Sequence, residues 1–194
     1  MSDRQASDSE VIQRCRRGEI EPFRLLVERY QDRIYNLSLR LLGDREDALD
    51  AAQETFVRVF AALDRFEPGQ PFTPWLYRIA TNTCYGILRK RKHSSVSLDA
   101  LGEWEAEATG SLSGAPEDPQ HWVLRTARDE EIQRAVLALP EPYRTVVLLR
   151  YMEEMSYEAI ATVLEIPLGT VKTYLHRAHR RLRATLSEPE RDAS

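Results

Sequence analysis

Ser156 to Leu186 reads SYEAIATVLEIPLGTVKTYLHRAHRRLRATL, and this stretch sets the frame for the rest of the chain. Ser156 suits a helix N-cap, because its hydroxyl can accept from an orphan amide, and Glu158 is well placed in the first turn. Ile160, Ala161, Val163 and Leu164 follow as an apolar stripe at helical spacing. Pro167 and Gly169 interrupt the pattern for only a few residues, which predicts a tight turn. A second helix, Thr170 to Leu186, repeats Val171, Leu175, Ala178 and Leu182 on one face. That register leaves Lys172, Thr173, His176, Arg177, Arg180 and Arg181 outside. From Ile166 to Leu186 there are five Lys or Arg and no acid, so the outer face is strongly basic. A solvated amphipathic helix would carry such charge too. The preceding helix, the short turn and the one-sided charge together favour a helix-turn-helix that reads DNA.

The chain has 194 residues, 42% of them hydrophobic, enough for one or two small domains with real cores. No apolar run approaches the length of a membrane span, and MSDRQASDSE lacks the layout of a signal peptide, so a cytoplasmic protein without membrane insertion is expected. Cys15 and Cys84 stand far apart, and His93, His121, His176 and His179 match no ligand spacing. Neither a disulfide, a metal site nor a cofactor is expected. The net charge of -4 conceals strong segregation. Tyr77 to His93 holds Arg78, Arg89, Lys90, Arg91 and Lys92 without an acid, whereas Ser94 to Trp122 holds six acids without a Lys or Arg. Two basic blocks in an acidic chain imply two DNA contacts and a larger partner that supplies further affinity.

Upstream, Ser9 to Arg17 reads as a short helix stopped at Gly18, and Pro22 opens the next, whose stripe is Phe23, Leu26, Val27, Tyr30, Ile34, Leu37 and Leu41. After Gly43, Asp44 should cap a helix that buries Ala48, Ala52, Phe56, Val59, Phe60 and Leu63. Asp47, Asp50, Gln53, Glu54 and Arg58 would lie largely outside. Phe66 to Phe72 is a loop rich in breakers, after which Thr73 as cap and Pro74 start a helix through Trp75, Ile79 and Ile87, with Trp75 on the inner face. Helical periodicity fails from Ser94, where Gly, Pro, Ser and acids mark a flexible linker. Helices resume near Trp122, at Ala127 to Leu139 and Tyr143 to Met152. The expected fold is all-α: two small helical domains, residues 1–93 and 123–187, joined by the acidic linker 94–122 and followed by a disordered tail, 188–194, with no regulatory extension beyond it.

These residues resemble bacterial RNA polymerase sigma factors of the sigma-70 family, extracytoplasmic-function type. Asp47, Ala48, Asp50, Gln53, Glu54 and Phe56 match a signature of the family's region 2, and Thr73, Trp75, Leu76, Tyr77, Arg78, Ile79, Ala80, Asn82 and Thr83 match a second. Region 4 is matched by Leu139, Pro140, Tyr143 and Arg144, by Ser156, Tyr157, Ile160 and Ala161, and by Gly169 through Lys172 with His176, Arg177 and Ala178. The resemblance implies a transcription initiation factor with no catalysis of its own. It implies docking on core RNA polymerase, at the largest subunit's clamp helices and at the beta subunit, through Asp47, Asp50, Gln53, Glu54 and Phe56. A helix exposing carboxylates suits a basic partner.

The resemblance also implies that the helix after the breaker loop reads the melted non-template strand of the -10 element, a base being flipped into a pocket walled by Phe66 to Phe72. Asn82 would hydrogen-bond that base, with Thr83 beside it, while Arg78, Arg89, Lys90 and Arg91 hold phosphates. Thr170, Lys172, Thr173, His176, Arg177 and Arg180 would meet the -35 element in the major groove. His179 departs from the family, which more often has arginine there, and a histidine against phosphate would make that contact depend on pH. An anti-sigma factor is implied as a further partner. A two-domain helix-turn-helix regulator, binding an operator alone as a homodimer, is the alternative. The second basic block and the signature at Asp47 to Phe56 weigh against it. Nothing resembles an enzyme: there is no phosphate loop and no nucleophile with a paired base.

Overall fold

Asp8–Arg16 (α1), Phe23–Leu42 (α2), Arg45–Ala62 (α3) and Phe72–Asp99 (α4) form an N-terminal set of helices, with a 3-10 turn at Leu63–Arg65. Ala127–Leu137 (α5), Glu141–Tyr151 (α6), Tyr157–Leu164 (α7) and Leu168–Leu186 (α8) follow. The computed structural model describes residues 6–67, 69–99 and 127–186, and these are helical or connecting segments without a strand. The chain falls into two compact units, the first carrying α1 to α4 and the second carrying α5, α6, α8 and most of α7.

Each helix of the first unit has a local cause. The Ser7 hydroxyl accepts from the Glu10 amide at 3.3 Å, and the Glu10 carboxylate accepts from the Ser7 amide at 2.7 Å. This capping box starts α1 one residue before Ser9, and the donated bonds lower the Glu10 pKa. α2 buries Leu26, Ile34, Leu37 and Leu41 at helical spacing, and Gly43 stops it in the left-handed region at φ 70°. Phe23 and Val27, expected in the stripe, are only half-buried at its margin. Asp44 caps α3, accepting from the Asp47 amide at 2.9 Å. Ala48, Ala51 and Ala52 are buried on α3, and such small side chains let helices approach closely. α2, α3 and α4 pack on one another, with Leu76, Tyr77, Ala80 and Cys84 of α4 in the core. Burial raises the Cys84 thiol to about 11.

Three expectations need correction here. Phe60 remains 43% exposed, on the helical line of the exposed Leu49, Gln53 and Val57, with its ring 5.0 Å between centroids from that of the edge residue Phe23. Thr73 does not cap α4, since Phe72 is already helical. Finally, α4 continues through residues 94–99, the start of the segment read as linker. The rest of that segment, the start near Trp122 and the tail 188–194 lie outside the described residues.

In the second unit, α6 and α5 both pack on α8. α5 ends at Leu137, and Arg144 of α6 donates to the carbonyls of Leu137 and Leu139, a cation set against a helix C-terminus. Ser156 caps α7 as read, accepting from the Ala159 amide at 3.1 Å. The turn before α8 differs from the expectation. Glu165, at φ 53°, makes the left-handed reversal, and Gly169 lies inside α8, which begins at Leu168. Val171, Leu175 and Ala178 are buried on α8, with Leu182 half-buried beyond them.

Candidate nucleic-acid and docking surfaces

Three faces present chemistry outward. The first is the outer side of α3, where Asp50, Gln53 and Glu54 are exposed as expected. Glu54 accepts from Arg58 at 2.7 Å, an i,i+4 pair on an open surface. Two expected members sit differently. Asp47 is half-buried and ion-paired with Arg91, and Phe56 is buried in the core beside Ala52 and Val59. Phe56 follows Ala48 and Ala52 at four-residue steps, so the apolar stripe claims it. Sequence reasoning missed that the same face is apolar along one edge: Leu49 is 45% exposed and Val57 63% exposed. Positions 49, 53, 57 and 60 share one helical line, and that spacing was the available signal.

The second face is on α4. Arg78, Asn82 and Arg89 are exposed at steps of four and seven, so they line one stripe, with Lys90 and Lys92 exposed beyond. Thr83 is buried instead, its hydroxyl donating to the Ile79 carbonyl at 2.9 Å. It repeats Leu76 after seven residues and Ala80 after three, which places it on the core side. Arg91 is exposed but tethered: it donates to the Leu42 carbonyl at 2.9 Å and pairs with Asp47. Its position, seven residues after the buried Cys84, explains that turn toward α2 and α3. Thr83 therefore leaves the expected DNA-facing set by register, whereas Arg91 stays exposed with its guanidinium engaged.

The loop before α4 differs from the expected pocket wall as well. Phe66 and Phe72 are buried, with rings 6.0 Å apart, and Trp75 packs on them at 4.9 and 5.9 Å. The aromatic rings close the neck of the loop, and only residues 67 and 69–71 between them are described as exposed. Gly69 turns at φ 88°, a conformation that side chains other than glycine rarely adopt.

The third face is on α8. Lys172, Thr173, His176, Arg177 and Arg180 are all exposed, as are Arg181 and Arg183, whereas Thr170 is half-buried. The Thr173 hydroxyl donates to the Gly169 carbonyl at 2.8 Å. α6 passes beneath α8 and reaches both of its flanks. On one, Arg177 donates to the Tyr143 hydroxyl at 3.3 Å, which raises the Arg177 pKa, and the Arg181 guanidinium lies 5.7 Å over the Tyr143 ring. On the other, Tyr151 and His179 share a hydrogen bond of 2.8 Å. His179 is thus partnered inside its own unit rather than standing clear on the basic face. Tyr143 and Tyr151 were not among the expected site residues.

Among the described residues no group of three His, Cys, Asp or Glu could hold a metal ion, and no helix is long and apolar enough to cross a membrane.

Residues 26–94 match the family model described as Sigma-70 region 2, and residues 129–182 match that described as Sigma-70, region 4. The chain is similar to the ECF RNA polymerase sigma factor SigW of Bacillus subtilis, with 37% identity over 183 residues, 91% of this chain and 95% of the relative. It is similar to the RNA polymerase sigma-H factor of Pseudomonas aeruginosa, with 35% identity over 191 residues, 97% of this chain and 98% of the relative. In fold it is similar to the sigma factor RpoE from Bartonella quintana, solved in complex with the anti-sigma factor NepR. That likeness has a TM-score of 0.69 at 23% identity, covering 88% of this chain and 100% of the other.

Proposed function

We propose the following division of labour because this chain belongs to the sigma-70 family, as an extracytoplasmic-function RNA polymerase sigma factor that directs promoter-specific transcription initiation. The first unit, proposed as residues 1–93, docks on core RNA polymerase through the outer face of α3. Asp50, Gln53 and Glu54 supply polar complementarity to a basic clamp surface, and Leu49 and Val57 supply apolar area beside them. The exposed stripe of α4 tracks the melted -10 strand: Asn82 reads a flipped base at its Watson-Crick edge, while Arg78, Arg89 and Lys90 hold phosphates. The exposed loop residues 67 and 69–71 flank that base. Thr83 supports α4 from its inner side, and Arg91 ties it to α2 and α3.

The second unit, proposed as residues 123–187, lays α8 in the major groove of the -35 element. Lys172, Thr173, His176 and Arg177 lie near its N-terminal part and reach base edges or flanking phosphates, and Arg180 meets the backbone. Residues 94–122 connect the two contacts. The protein contributes no catalysis and acts in the cytoplasm, where the polymerase holds the active site. An anti-sigma factor is its second protein partner, covering the α3 and α8 faces when the factor is idle; the fold neighbour RpoE was solved with such a partner.

The observation that carries this reading is the pairing of two basic helical faces, on α4 and α8, with a carboxylate-edged apolar face on α3. A stand-alone operator binder needs only the α8 face. The test is a pull-down of the full chain with bacterial core RNA polymerase, followed by run-off transcription on a pool of promoter fragments. Stable association with new start sites is expected. Failure to bind core polymerase, with tight dimeric binding to duplex DNA, would return the stand-alone regulator.

A further inference from the structure

The loop between Phe66 and Phe72 is gripped from both ends by one short helix. At its entry, the Arg16 guanidinium at the end of α1 lies 3.4 Å from the Asp64 carbonyl and 3.5 Å from the Phe66 carbonyl. These carbonyls lie at the C-terminal end of the 3-10 turn Leu63–Arg65, where a cation is favoured. At the exit, Asp8 at the start of α1 accepts from the Tyr30 hydroxyl at 2.5 Å and from Arg29 at 2.7 Å. The same Tyr30 hydroxyl lies 3.3 Å from the Thr73 hydroxyl in the first turn of α4, and the Tyr30 ring meets Phe72 edge-on at 5.6 Å. Val11 and Ile12 are buried between these two ends, so α1 is seated firmly enough to transmit position. Between its ends, among the described residues, the Gln70 amide bonds the Glu67 carbonyl at 3.3 Å and the two side chains meet at 3.4 Å.

We propose that α1 is a brace for strand opening: Arg16 at one end, and Asp8 with Tyr30 at the other, are positioning residues that fix the two limbs of the loop and so the pocket it offers to an extruded base. The proposal rests on the assignment of residues 67 and 69–71 to base capture made above. A loop placed in advance pays no ordering cost when the base arrives, so the brace acts on the opening step and not on initial duplex binding.

The experiment uses holoenzyme, the full chain with core polymerase, on the promoter fragment giving the strongest run-off product. Permanganate reactivity of non-template thymines is followed in time at several holoenzyme concentrations, separating the closed-complex constant from the opening rate. Tyr30→Phe keeps the ring and deletes the hydroxyl; Arg16→Gln removes an exposed cation. Each should leave core binding and the closed-complex constant unchanged while slowing opening by about five- to tenfold, the rate equivalent of one hydrogen bond. Tyr30→Phe and Thr73→Val, which break one linkage, should be less than additive when combined. Opening rates within about twofold of wild type for both Tyr30→Phe and Arg16→Gln would overturn the brace. Glu67→Ala with Gln70→Ala tests the reading beneath it. If these loop changes slow opening and the brace variants do not, the brace alone is wrong; if the loop changes have no effect, base capture by the loop is wrong and the brace falls with it.

Discussion

α4 and α8 are both long helices with a one-sided basic face, yet the structure uses their cations differently. α4 is packed against α2 and α3, and its fully buried stripe ends at Cys84. Seven residues beyond it Arg91 is tethered although exposed: it donates to the Leu42 carbonyl at the end of α2 and pairs with Asp47. On α8 the buried stripe stops after Ala178, and Arg177, Arg180, Arg181 and Arg183 all remain exposed. Charge alone therefore does not assign a DNA contact. The partners a guanidinium finds within its own unit show which exposed cations also serve the fold: Arg91 on Leu42 and Asp47, and Arg177 and Arg181 on Tyr143.

The largest test concerns the packing itself. Leu76 of α4 is fully buried and Leu175 of α8 nearly so. Leu76→Ala should cost about 3 to 5 kcal/mol and Leu175→Ala about 2 to 3 kcal/mol, because α4 leaves a cavity enclosed by two helices. Urea unfolding followed by circular dichroism would show the larger loss for Leu76→Ala. Equal or reversed losses would break the contrast in burial.

A second test uses the Cys84 thiol, whose pKa burial raises to about 11. A raised folded-state pKa means the contribution is fully present below the unfolded-state value near 9 and is lost as pH rises through 11. The folded state should lose about 2 to 3 kcal/mol relative to Cys84→Ala across that window, and none between pH 6 and 8. At pH 8 the thiol should resist an aromatic disulfide reagent that modifies the half-buried Cys15. Rapid labelling of Cys84 would show that the α4 core opens more readily than its packing implies.

The next test separates the two uses of arginine. Arg180→Ala should weaken duplex binding by about 1 kcal/mol and lower the salt slope by about one, as expected when one phosphate contact is lost. Arg91→Ala should leave that slope unchanged and lower the thermal midpoint instead, since it removes a helix cap and an ion pair. A reduced salt slope in Arg91→Ala would mean that the residue leaves Asp47 for DNA.

Register and local chemistry explain what was legible in the sequence. Ser156, Asp44 and Gly43 punctuate helices because their chemistry is local, and the structure places caps and stops at these residues. Thr73 failed as a cap because the Phe72 backbone is already helical and its ring is held by Tyr30, Phe66 and Trp75, a tertiary cause invisible along the chain. Among the candidate site residues, Asp50, Asn82, Lys172 and Arg180 are exposed where patterning put them. Phe56 and Thr83 were drawn in from motif matching although their spacing already marked them as inward. Tyr143, named in the region 4 match, and Tyr151 are not assigned to the site by sequence because their relation to α8 depends on how α6 crosses it, and no local pattern encodes a crossing.

The smallest effect concerns His179, where the contrast between fold-serving and outward residues is most finely balanced. Its ring is exposed at the edge of the basic face, yet it hydrogen-bonds Tyr151, itself 58% exposed. If that bond persists on DNA, His179→Ala and Tyr151→Phe should each change duplex affinity by about 0.5 kcal/mol or less. Their combination should be no worse than either, because both break one interaction. If His179 instead turns to a phosphate, His179→Ala should weaken binding alone, and Tyr151→Phe should strengthen it by removing the competing acceptor or donor. Binding titrations of the four proteins on one -35 duplex distinguish these patterns by sign, so the test survives even though each effect is small.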